Sequence, residues 1–184
     1  MFDLFSTIIK NAEHSIRNNA SSHYEIKLSD KSDKGEYAFV IHDVPKDTLL
    51  IRADKFPNTG AYFNDENDVG ICKRADYILL AREDDGKYKI AIIEITSGSC
   101  KENAFIKKQL KGATCIFKYC MAIAECYFNK SFQCKQIHYV AITNIGSPQK
   151  QRIDYTRNSA LNTSVDKFLK ITSGSQYHFK QLVG

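Results

Sequence analysis

The sequence predicts an α/β fold: a mixed central sheet flanked by helices, in one domain spanning residues 1–184. Three observations carry this. Two strand-like segments, Asp76 to Ala81 and Tyr88 to Ile95, flank the tract Arg82 to Lys87, whose Asp-Gly pair signals a tight hairpin turn. A helical pattern then runs from Glu102 to Phe128, with apolar Phe105, Leu110, Ala113, Ile116, Phe117, Met121, Ala124 and Phe128 spaced mostly by three and four. The apolar strand Ile137 to Thr143 follows. Strand, long helix and strand together read as a right-handed crossover with parallel pairing.

The remaining elements follow in chain order. Asp3 to Asn18 reads as an amphipathic helix with Phe2, Phe5, Ile8, Ile9 and Ile16 on one side. Strands are expected at Tyr24 to Leu28, Tyr37 to Ile41 and Leu49 to Ala53, the first two separated by the turn-rich tract Ser29 to Gly35. Lys55 to Val69, with Pro57 and its polar clusters, reads as a surface loop. Gly146 to Thr163 reads as a loop with some helix, Val165 to Ile171 as a helix, and Gln176 to Leu182 as a final edge strand.

Composition narrows the classes. The chain is 43% hydrophobic, enough to build a core. No apolar run approaches the ~20 residues that span a bilayer. The first residues lack a basic leader region and a small-residue cleavage site, so the expected location is cytoplasmic. Six cysteines include no C-x-x-C pair, which argues against a zinc ribbon. Cys115, Cys120 and Cys126 fall inside the long helix and read as buried, reduced thiols. The net charge of +5 permits phosphate binding without requiring it. The densest basic stretch holds Lys101, Lys107, Lys108, Lys111 and Lys118.

The chemistry concentrates in the hairpin. Glu94 follows Ile90, Ala91, Ile92 and Ile93, and a carboxylate ending so apolar a strand is costly unless paired or bound to metal. Side chains alternate, so Glu94 and Thr96 share a face. If the turn is symmetric about Asp85, Asp76 lies nine residues before its centre and Glu94 nine after, and the two face each other. Cross-strand Cβ atoms stand ~4.5–5.5 Å apart. Two carboxylates that close repel unless a cation separates them. Mg²⁺ takes one or two carboxylates plus waters and phosphate oxygens, and Mn²⁺ can substitute. The competing reading is plain ion pairing of each acid by Lys73, Arg74 or Lys111.

An acid opening one strand, an apolar strand ending in an acid, then a helix: this order resembles the PD-(D/E)xK nuclease superfamily, in which a lysine usually stands two residues after the second acid. The likeness covers residues 73–143, and the N-terminal helix and strands match its αβββαβ, restriction-endonuclease-like core. Asp76 matches the first metal-binding acid, with Ala75 where the family often has proline, and Glu94 matches the second. Thr96 stands where the family's lysine is expected, and Gln109 resembles a glutamine that some members carry on the following helix.

The resemblance implies a Mg²⁺-dependent endonuclease acting on DNA, as in restriction, defence or repair, with two copies supplying two sites for two strands. It implies a metal held by Asp76, Glu94 and the Ile95 carbonyl, with Lys73, Arg74 and Lys107 near the nucleic acid. Thr96 has no positive charge and leaves three readings open. Lys108 or Lys111 reaches in from the helix; Thr96 holds a water; or the domain is inactive and only binds nucleic acid or a protein partner. Glu13 is a further candidate for an outer ligand. His138 reads as a core histidine, and Ser97-Gly98-Ser99 as a phosphate cradle or a helix cap. Tyr77, Tyr119 and Tyr127 are candidates for base stacking.

Overall fold

The computed structural model describes residues 2–10, 12–14, 16–17, 23–32, 35–57, 59–64, 66, 68–96, 102–131, 133–143, 152–153, 162–172 and 174–184. Helix α1 (Phe2–Ile8) opens the chain, followed by β1 (Glu13–His14), β2 (Ile16–Arg17), β3 (Tyr24–Ser32), β4 (Gly35–Val44), β5 (Thr48–Arg52), β6 (Tyr77–Arg82) and β7 (Tyr88–Thr96). Helix α2 (Asn103–Phe128) and β8 (Cys134–Thr143) come next. The remainder is β9 (Arg152–Ile153), β10 (Leu169–Thr172), β11 (Gln176–His178) and α3 (Phe179–Val183).

The fold is mixed α/β, as expected, but the strands form two mixed sheets rather than one mixed central sheet flanked by helices. The larger runs β1-β5-β6-β7-β8-β10-β9 and the smaller β11-β4-β3-β2. β7 and β8 pair in parallel, with Glu94 beside Ala141 and Thr96 beside Thr143. A parallel neighbour requires a crossover, and α2 supplies it.

Alternation divides the larger sheet into two buried faces. Ile78, Leu80, Ile90 and Ile92 face α1 and α2 and pack with Ile106, Leu110, Ala113 and Phe117. Leu79, Ala81, Ala91, Ile93 and Ile95 face the smaller sheet and α3, packing with Ile26, Leu28, Phe39, Ile41, Phe179 and Leu182. A sheet covered on both sides explains the nearly continuous apolar run of β7.

The hairpin register is the one read from sequence. Pairs run from Arg82↔Tyr88 to Tyr77↔Ile93, symmetric about Asp85. Gly86 takes φ +79°, a conformation that costs glycine nothing. Its N–H donates to the Glu83 carbonyl at 2.9 Å.

Four expectations are corrected. The first helix ends at Ile8 instead of Asn18, and Glu13 lies on β1, paired with Leu50 of β5. The open edge of β5 offers backbone partners that an isolated helical turn lacks, so tertiary pairing prevails. Val165 to Ile171 is not a helix. A short 3₁₀ turn, Val165–Lys167, leads into β10, which joins β8 in parallel. Leu169 and Ile171 fit a two-residue period as well as a helical one, and the edge of β8 decides between them. Gln176 to Leu182 is strand only through His178. Phe179, Leu182 and Val183 then bury the face of α3, at a spacing of three and one that fits a helix. β3 and β4 belong to the smaller sheet. Most of Gly146 to Thr163 lies outside the described residues. No helix among the described residues is long and apolar enough to cross a membrane.

Candidate functional site

Asp76 stands one residue before β6, where the chain leaves the ladder that ends at Tyr77↔Ile93. Continued by one step, the same register sets Asp76 opposite Glu94. Alternation puts Glu94 on the α2-facing face, in line with Ile90 and Ile92 on β7, while Asp76 precedes β6 by one residue. Glu94 is 1% exposed, Thr96 on the same face is buried, and Asp76 is half-buried.

Asp76 is fixed on several sides. Its Oδ2 accepts the Ile95 N–H at 2.6 Å, and its carbonyl accepts the Ala53 N–H at 2.8 Å and the Asp54 N–H at 3.4 Å. The carboxylate thus takes the place that a β6 carbonyl would fill one step further along the ladder. N–H and C=O of one strand residue point to the same edge, so the Ile95 carbonyl is directed toward the Asp76 side of β7.

The segment ahead of Asp76 is clamped to α2. The Ala75 N–H donates to the Gln109 carbonyl at 2.9 Å, and Gln109 Nε2 donates to the Arg74 carbonyl at 3.4 Å. Gly112 makes this approach possible: a Cβ there would sit 1.6 Å from the Lys73 carbonyl oxygen. Sequence reasoning passed over Gly112. The available signal was a lone glycine inside a long helix, which costs about 1 kcal/mol relative to alanine and so needs a packing reason.

The basic residues separate into two groups. Lys108 lies toward the Asp76 arm: a Cβ on Gly70 would meet its Cδ at 2.9 Å. Lys107 pairs with Asp166 at 3.0 Å on the other flank of α2, and the exposed Lys111 shares that flank, its charge also acting on Asp166. Lys73 holds its amine 5.8 Å from the centre of the exposed Phe105 ring. Arg74 is a structural clamp, its Nη1 donating to the Phe56 carbonyl at 2.8 Å and the Pro57 carbonyl at 2.5 Å. Asp54, close in the backbone, turns its carboxylate to Lys55 at 3.1 Å and Arg52 at 3.6 Å.

Other singled-out residues fall elsewhere. Glu13 is exposed on β1. Tyr77 is 2% exposed and reaches the smaller sheet: its hydroxyl donates to the Ser29 carbonyl and accepts the Ser29 N–H at 3.0 Å. Burial raises its pKa. Tyr119 and Tyr127 are exposed on α2. Cys120 is buried, whereas Cys115 and Cys126 are exposed, contrary to the expectation of three buried thiols. Ser97, Gly98, Ser99 and Lys101 lie outside the described residues.

Among the described residues, no three His, Cys, Asp or Glu side chains form a group fit to hold a metal. Any ion here would rest on two carboxylates and a carbonyl, completed by waters and substrate oxygens. That all-oxygen donor set, with few protein ligands, suits Mg²⁺ and does not suit softer metals.

No family model, curated protein or solved structure matches the chain.

Proposed function

We propose that the chain is a Mg²⁺-dependent endonuclease of the PD-(D/E)xK kind that hydrolyses DNA phosphodiester bonds. The observation that carries the reading is the hairpin register, which ends at Tyr77↔Ile93, one step short of Asp76 and Glu94 and in phase with their facing each other. The strand-helix-strand order that begins with the Glu94 strand, β7-α2-β8, adds support, since the family's restriction-endonuclease-like core has the same order there.

In this reading Asp76, Glu94 and the Ile95 carbonyl hold Mg²⁺, or Mn²⁺ in its place. The bound ion lowers the pKa of water and offsets charge on the phosphate. Asp76, already held by the Ile95 N–H, needs little reorganisation to act as a ligand. Of the two lysines considered for the missing charge, Lys108 is favoured over Lys111 because it flanks the Asp76 arm. Its ammonium contacts the scissile phosphate or orients the attacking water. Thr96, on the Glu94 face, offers a hydroxyl to the same water. Gln109 keeps the arm in place, and Lys73 contributes to backbone contacts. Arg74 and Lys107, engaged with the loop and with Asp166, contribute less.

The test is plasmid nicking with Mg²⁺ and with Mn²⁺. Glu94→Ala and Asp76→Ala should abolish nicking. Lys108→Ala should slow it on the order of 10²-fold, the size expected for losing one charge-stabilising donor, and Lys111→Ala should change it little. Wild-type protein that leaves DNA and RNA intact with both ions would sink the proposal.

One observation favours a second reading. Thr96 carries no charge where the family's lysine is expected, as in a silent nuclease-like domain that binds nucleic acid or a protein partner. Calorimetric titration separates the two: the silent version shows no Mg²⁺ or Mn²⁺ binding that Glu94→Ala removes.

A further inference from the structure

We propose that the hydrogen-bond chain His138–Asn162–Leu182 is a proton-sensitive latch that fastens α3 to the larger sheet and lets it go when His138 takes up a proton. His138 lies on β8, on the face covered by α3, and is 1% exposed. Its Nδ1 stands 2.8 Å from Asn162 Oδ1, and Asn162 Nδ2 donates to the Leu182 carbonyl at 2.8 Å. One buried amide therefore ties strand β8 to helix α3.

The donor pattern fixes the protonation state. With its NH₂ directed to a carbonyl, Asn162 presents oxygen to the ring, so His138 Nδ1 must carry the hydrogen. The neutral ring then has a bare Nε2. That atom is buried and has no hydrogen-bond partner among the described residues. A proton added there creates a charged donor with no acceptor, which is far more costly than a bare nitrogen.

The surroundings do not compensate. Burial pushes His138 below the ordinary imidazole range; the Asn162 bond opposes this, Lys89 of β7 reinforces it, and Glu83 in the β6–β7 turn opposes it. Glu83 is already held by Lys89 at 3.0 Å and Lys135 at 2.8 Å. α3 offers His138 no acid: Lys180 is exposed, and Lys89 Nζ donates to the Gly184 oxygen at 3.2 Å. Because the folded value lies below the unfolded one, the latch is at full strength above pH ~6.5 and weakens as pH falls below it. α3 is five residues long, so it can open locally without loss of the central strands.

Hydrogen exchange tests this on the full chain, at about pH 7.5 and about pH 5, after correction for intrinsic exchange. In wild type, the opening constant of the α3 amides should rise up to ~10-fold per pH unit below ~6.5, the signature of one proton per opening, while β6 and β7 stay protected. His138→Asn keeps a donor near the Nδ1 position and cannot titrate in this range, so its α3 protection should be independent of pH. Equal pH dependence in wild type and His138→Asn, or none in wild type, overturns the proposal. Should that variant not fold, NMR titration of the wild-type His138 ring decides instead. An ordinary titration near pH ~6.5 with α3 still protected refutes the latch, and a depressed one accompanied by α3 exchange supports it.

Discussion

Replacing Gly112 by alanine tests whether α2 truly rests on the arm that carries Asp76. On a free helix surface this change would stabilise the protein by about 1 kcal/mol through helix propensity. Here the new Cβ would lie 1.6 Å from the Lys73 carbonyl oxygen and 2.8 Å from its carbon. Heavy atoms essentially never approach a Cβ within 3.0 Å, so helix and arm must separate by about 1.4 Å. Such overpacking costs about 1–3 kcal/mol. The separation also stretches the Ala75-to-Gln109 and Gln109-to-Arg74 bonds, each worth about 0.5–1.5 kcal/mol. With those bonds weakened rather than lost, and against the propensity gain, the net loss is about 2 kcal/mol. For a chain of this size that lowers Tm by about 4–8 °C. Urea melts and thermal scans of both proteins give the answer, and nicking assays should show a parallel loss because Asp76 moves with the arm. An alanine variant as stable as wild type, or more so, would refute the close approach and the positioning argument built on it.

Two further outcomes follow from the geometry. Tyr77→Phe removes the hydroxyl that serves both Ser29 backbone groups across the two sheets, so it should cost about 1–3 kcal/mol in urea unfolding. A change below about 0.5 kcal/mol would mean that water replaces it. Burial pushes the Cys120 thiol up to about 11, so at about pH 8 a thiol reagent should label Cys115 and Cys126 first and reach Cys120 only in denaturant. Peptide mapping that finds Cys120 labelled early in the native protein would contradict its burial.

Some of this architecture was readable because it is local. The Asp-Gly turn and the alternation of β6 and β7 were enough to set the register from Arg82↔Tyr88 to Tyr77↔Ile93. α2 was equally legible, since Leu110, Ala113, Phe117 and Ala124 keep one face over its length. The misses are non-local. Glu13 pairs with Leu50 because β5 has an open edge, which the sequence near Glu13 does not record. Leu169 and Ile171 fit both periods, and only the neighbouring β8 selects strand. Lys108 and Lys111 looked equivalent, one turn apart on the same helix. Their separation depends on where Gly70 and Asp166 come to lie around α2. At the candidate site, the ladder as far as Tyr77↔Ile93 was legible, whereas the clamp of Gln109 and Gly112 on the Asp76 arm needed the tertiary contact.

The pairing of β11 with β4 has a consequence for how the chain reaches this state. Gln176 registers with Val40, and His178 bonds Asp43 across 135 residues of sequence. The smaller sheet can be completed only after that very large loop closes, whereas the β6–β7 hairpin forms from neighbours. Assembly should therefore begin at the hairpin and finish where β11 docks. Until then the β4 edge lies bare, and a chain interrupted before residue 176 would keep a sticky strand on display.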